Sequence, residues 1–130
     1  QRVVLAEARA AEPPLPVPAL RCTIDTTLQV AYATPRQEGL RMVVYGRDPG
    51  GSLFFYAPRR PTQVAVPLEP DAISRALDWS TRLEVKHAPG VYDLRVLFFD
   101  RPILAGEAAS GRGSPLQALR LRLEVEGGRP

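Results

Sequence analysis

Leu40-Arg41-Met42-Val43-Val44-Tyr45-Gly46-Arg47-Asp48-Pro49-Gly50-Gly51-Ser52-Leu53-Phe54-Phe55-Tyr56-Ala57 decides the fold. Leu40 to Tyr45 is apolar except for Arg41, as expected of a central strand buried on both faces. Gly46 to Ser52 is dense in turn formers: glycine supplies positive φ, proline presets φ, and Asp48 can bond the backbone beyond it. Leu53 to Tyr56 then returns as a second strand. The stretch reads as a β-hairpin.

The same alternation extends in both directions. Upstream, Leu20, Cys22 and Ile24 alternate with Arg21 and Thr23, and Leu28, Val30 and Tyr32 share one face of the next segment. Downstream, Val64, Val66 and Leu68 lie on one face, with Pro67 and Pro70 marking an edge or a strand end. Asp71 to Trp79 offers the one helical pattern, with Asp71 as a cap and Ile73, Ala76 and Leu77 on one side. Thr81 to His87 alternates again. Val91 to Phe99 sets Tyr92, Leu94, Val96 and Phe98 against Leu97 and Phe99. In the last strand Leu119, Leu121, Leu123 and Val125 face in, while Arg120, Arg122, Glu124 and Glu126 face out. So strict a period belongs to a half-buried antiparallel strand. The expected architecture is all-β: an antiparallel, immunoglobulin-like β-sandwich of seven to eight short strands, with at most one short helix around 71–79.

The strands belong to one domain spanning 19–130, and two stretches depart from their pattern, one before the domain and one within it. Within residues 1–18, Glu12-Pro13-Pro14-Leu15-Pro16-Val17-Pro18 favours an extended polyproline geometry, read as a semi-rigid stalk or as an arm along the domain. Residues 105–115, with Gly106, Gly111 and Gly113, read as a flexible loop.

Composition removes whole function classes. With 130 residues the chain can build one core. One Cys forbids an intrachain disulfide, and one Cys with one His cannot complete a four-ligand zinc site. No apolar run approaches the roughly 18–20 residues of a membrane span. The net charge of +3 comes from 17 basic and 14 acidic residues, and every basic residue but Lys86 is Arg. They are interleaved along the chain, without the clustered basic patch of a nucleic-acid binder.

The residues that could carry chemistry are few. His87 closes an alternating segment, where a surface position is expected, and no nucleophile or orienting acid lies near it in sequence. Cys22 alternates with Leu20 and Ile24 and should pack as a small hydrophobe. The acids fall in turns or on outward strand faces, the pattern of solvated charge. No catalytic set, metal site or cofactor motif emerges, and a non-enzymatic role is expected. The candidate binding residues, for a partner protein or a small ligand, are Tyr56, Arg59 and Arg60 after the hairpin and the large aromatic Trp79. Strand edges could accept an added strand.

The runs Leu40–Pro58 and Gly90–Ile103 carry a resemblance. An apolar strand, an acidic glycine turn and an aromatic strand ending in Tyr56-Ala57-Pro58 are similar to a bacterial β-rich domain of unknown function, appended to kinases, peptidases and membrane-anchored regulators. The second run resembles the extracytoplasmic segment of zinc-finger anti-sigma-factor-like regulators. The resemblance covers about residues 20–104 and implies a sensory or interaction module in the periplasm or cell envelope, tethered to a membrane through an upstream segment. It does not extend to the zinc-binding module. The second reading is a structural or assembly subunit, cytoplasmic or not, whose copies associate through strand edges or the N-terminal arm.

Overall fold

A computed structural model describes residues 2–4, 8–9, 19–24, 26–82 and 87–127. They form an all-β, sandwich-like fold. β3 (Ala19–Thr23), β10 (Gln117–Glu126), β9 (Gly90–Phe99), β5 (Arg41–Arg47) and β6 (Leu53–Ala57) lie side by side in a six-stranded sheet, and β7 (Val66–Pro67) pairs with the start of β5. The second sheet has four strands. β4 (Thr27–Ala33) pairs with the antiparallel β8 (Arg75–Arg82) and with two short parallel strands, β1 (Arg2–Val4) and β2 (Ala8–Arg9).

The hairpin forms where the turn residues place it. Asp48 Oδ1 accepts from the Ser52 amide at 2.7 Å, the Gly51 amide donates to the Asp48 carbonyl at 2.9 Å, and Gly51 sits at φ 92°. A register shift between Val44 and Tyr45 marks a bulge in the β5–β6 ladder.

The inner faces of the two sheets enclose the main core. Leu28, Val30, Tyr32 and Leu77 from one sheet meet Met42, Val44, Tyr56, Tyr92, Leu94, Val96, Phe98, Leu121, Leu123 and Val125 from the other. Cys22 joins them, packed as the alternation indicates. A second core lies on the opposite face of the large sheet. Val43, Tyr45, Leu97 and Phe99 are covered there by Ala65 and by a five-residue helix, α1 (Ala105–Ala109), through Ala105, Ala108 and Ala109. This cover is why β5 reads as continuously apolar: Met42, Val43 and Val44 are all 0% exposed, toward different neighbours.

Three expectations require correction. The segment around 71–79 is not a helix. Asp71 has φ 60°, which a helix N-terminus cannot use, and Thr34 ties the preceding loop down by donating to the Glu69 carbonyl and accepting from the Ala72 amide. The chain then enters β8. The short helix lies instead at Ala105–Ala109, inside the stretch read as a loop. There the Ala105 amide bonds the Gln63 carbonyl and the Gly106 amide bonds the Pro61 carbonyl. Gly106 eases this approach, since a Cβ there would stand only 3.1 Å from Pro61 Cβ. Finally, the pairing is not purely antiparallel. β3 runs parallel to β10, Leu20 opposite Leu123, because the chain between them serves as the long crossover that a parallel pair needs. The Pro-rich run at 12–18 lies wholly outside the described residues, as do residues 83–86 of the expected alternating strand 81–87.

The helix-borne cover gives a direct test. Ala105 is 0% exposed and packs in the core on the outer face of the large sheet. Ala105→Leu should overpack the site and cost about 1–3 kcal/mol in chemical denaturation.

Candidate interaction face

The outer face of β5, β9 and β10 divides along its length. Alternation places Val43, Tyr45 and Arg47 of β5 outward, with Asp93, Arg95, Leu97 and Phe99 of β9 and Arg120 and Arg122 of β10. The apolar half lies under α1. The charged half is open.

Register sets the charges in rows. Arg47, Asp93 and Arg122 stand opposite one another across three strands, and the next row holds Tyr45, Arg95 and Arg120. Beyond them Glu124 faces Arg21 of β3. Arg95 Nη2 and Arg120 Nη2 both reach Asp93 Oδ2, at 3.4 and 3.3 Å. Arg21 Nε donates to Glu124 Oε1 at 3.0 Å, while Arg122 Nε stands 4.0 Å from the other Glu124 oxygen. Arg47 bonds the Gly51 carbonyl at 3.1 Å. A shallow groove runs through this half, lined by Arg47, Asp48, Val91, Asp93, Arg120 and Arg122. Val91 is 50% exposed within it.

This arrangement does little for stability. Exposed ion pairs contribute about 0–1 kcal/mol each. Arg95 directly opposite Arg120 places like charges together, which weakens a sheet. The Arg95 Nε atom is buried and makes no hydrogen bond among the described residues. Such a face can offer planar guanidinium groups to carboxylates or other oxyanions.

The residues anticipated as a binding cluster are distributed differently. Tyr56 is only 2% exposed and points into the main core, because its inward register on β6 outranks its nearness to the turn. Its hydroxyl shares a 2.6 Å hydrogen bond with His87 Nε2. His87 is not at the surface either: it is 5% exposed, stacked on Phe54 at 5.0 Å between ring centres and tilted against Tyr92 at 4.6 Å. Burial, then Tyr92 and Cys22, pushes the Tyr56 phenol far above the ordinary tyrosine range. Burial also raises Cys22, with Glu126 adding to it. Arg59 and Arg60 are exposed beyond the end of β6, and the Arg60 amide bonds Gln63 Oε1. Trp79 lies on β8, in the other sheet. Tyr56 is thus separated from the exposed Arg59 and Arg60 by its burial, and the arginine face is not legible in the sequence because its members are scattered along it.

Among the described residues, no group of three or more His, Cys, Asp or Glu side chains is placed to hold a metal ion. No described helix is long and apolar enough to cross a membrane. No family model and no curated protein matches the sequence. Among solved structures, the chain is similar to the cysteine protease inhibitor EhICP2 from Entamoeba histolytica, at 13% identity over 95% of this chain and 96% of that one, with a TM-score of 0.48. It is also similar to the N-terminal domain of phage TP901-1 ORF48, at 12% identity over 96% and 98% of the two chains, with a TM-score of 0.46.

Proposed function

We propose that this domain is a non-enzymatic interaction module, the envelope-exposed part of a membrane-anchored bacterial regulator. The observation that carries the interaction role is the division of the outer sheet face: the chain covers its apolar half with α1 and leaves the arginine half open. Arginine is enriched at protein interfaces because its fork binds carboxylates while its stem and plane pack on apolar groups. The envelope setting rests on the sequence resemblance alone.

An immunoblot of fractionated source cells tests the setting. The reading expects a band well above 14.3 kDa in the membrane fraction. A free cytosolic band near that mass overturns it and favours an assembly subunit.

A further inference from the structure

We infer that the groove across β5, β9 and β10 docks an acidic segment of a partner protein, with side-chain carboxylates seated against Arg47, Arg120 and Arg122. This rests on the reading of the domain as an interaction module and specifies the chemistry of what it binds.

Charge balance points to the occupant. The open half carries Arg21, Arg47, Arg95, Arg120 and Arg122 against Asp48, Asp93, Glu124 and Glu126, a surplus of one positive charge. The carboxylates present are largely engaged. Glu124 holds Arg21, Asp93 is shared by Arg95 and Arg120, and Asp48 caps the hairpin turn through the Ser52 amide. The arginines left least engaged are Arg47 and Arg122, on either side of Asp93 in one cross-strand row. They are separated by two strand spacings, about 10 Å at the backbone. Arg47 stands opposite Asp93 but makes no ion pair among the described residues, and it donates to the Gly51 carbonyl. Arg122 meets Glu124 only at 4.0 Å.

The interleaved acids select among anionic partners. A nucleic-acid backbone or a charged lipid surface presents unbroken negative charge, which Asp48, Asp93 and Glu124 would oppose. A peptide can place its carboxylates against the arginines and leave neutral side chains over Asp93. Val91, half-exposed in the groove lining, offers that neutral contact.

The test uses a fluorescein-labelled twelve-residue peptide of alternating Glu and Thr, read by anisotropy against the whole chain at low salt. Saturable binding that weakens as salt is raised is expected. Arg120→Glu with Arg122→Glu should weaken it by about tenfold or more, as should Arg47→Glu with Arg122→Glu. Arg36→Glu with Arg75→Glu, both exposed and outside the groove, should leave it unchanged. Circular dichroism melting checks that each variant folds. Arg120→Gln with Arg122→Gln supplies a milder pair if the charge-reversed protein does not fold. Equal binding by the groove variants overturns the inference, as does no binding to this peptide. Tighter binding to phosphatidylglycerol vesicles or to a 20-base-pair DNA duplex also overturns it. A photo-crosslinker at Val91 in source cells separates this failure from that of the interaction role. An adduct that persists in the charge-reversed protein retains a partner and rejects its acidic chemistry. Absence of any adduct rejects both.

Discussion

Phe98→Ala and Phe99→Ala are each expected to cost about 3–5 kcal/mol in chemical denaturation, although the two side chains point to opposite faces of one strand. Both are 0% exposed. Phe98 belongs to the core between the sheets, and Phe99 to the core beneath α1. In a plain sandwich one of two consecutive strand residues faces water, and its truncation costs little. Here β9 is covered twice at this end, so each truncation leaves a cavity. The neighbouring strand supplies the contrast. On β10, Leu121→Ala should cost about 2–5 kcal/mol and Arg120→Ala well under 1, since Leu121 is 4% exposed and Arg120 lies on the open half of the outer face. A cost below about 1 kcal/mol for Phe99→Ala would mean that the cover over the outer face is not packed.

That contrast also explains what the sequence could show. Period-two alternation is a local signal, so the faces of β9 and β10 and the two-sided burial of β5 were readable residue by residue. The turn at Asp48–Ser52 was readable for the same reason. The helix was not. Ala105-Gly106-Glu107-Ala108-Ala109 is too short to show a helical period, and it is held by the Gln63 and Pro61 carbonyls, some 40 residues away in sequence. Asp71 to Trp79 had the opposite fault: its apolar spacing suited a helix, but the Thr34 tether and pairing with β4 decided otherwise. Parallel pairing of β3 with β10 is likewise a tertiary fact. The arginine face combines both limits. Each strand declared its own polar side, yet Arg47, Asp93 and Arg122 become neighbours only once register sets three strands together. Evenly spread charge along a chain is thus compatible with a concentrated patch on a sheet.

Tyr56→Ala should likewise cost about 3–5 kcal/mol, and Tyr56→Phe about 1–3, because the second change removes only the hydroxyl from the buried bond to His87. The phenylalanine variant keeps the ring against His87, whose centroid lies 5.6 Å away, so the difference between the variants isolates packing from hydrogen bonding. The pH dependence carries the sharper result. Burial raises the folded Tyr56 well above the ordinary value of 10.0, and Tyr92 is also raised, by burial first and by Asp48. Below that ordinary value both phenols are protonated whether the chain is folded or not, and their contribution is fully present. Above it the unfolded chain releases the Tyr56 proton while the folded chain retains it. The folded state then binds more protons, so stability falls as pH rises through the folded value, by up to about 1.4 kcal/mol per pH unit for each such group. The wild-type protein should therefore lose stability steeply in alkali, and Tyr56→Phe should show a shallower slope there despite its lower stability at neutral pH. Parallel slopes would mean that the Tyr56 hydroxyl is reached by water, contrary to its burial between the sheets.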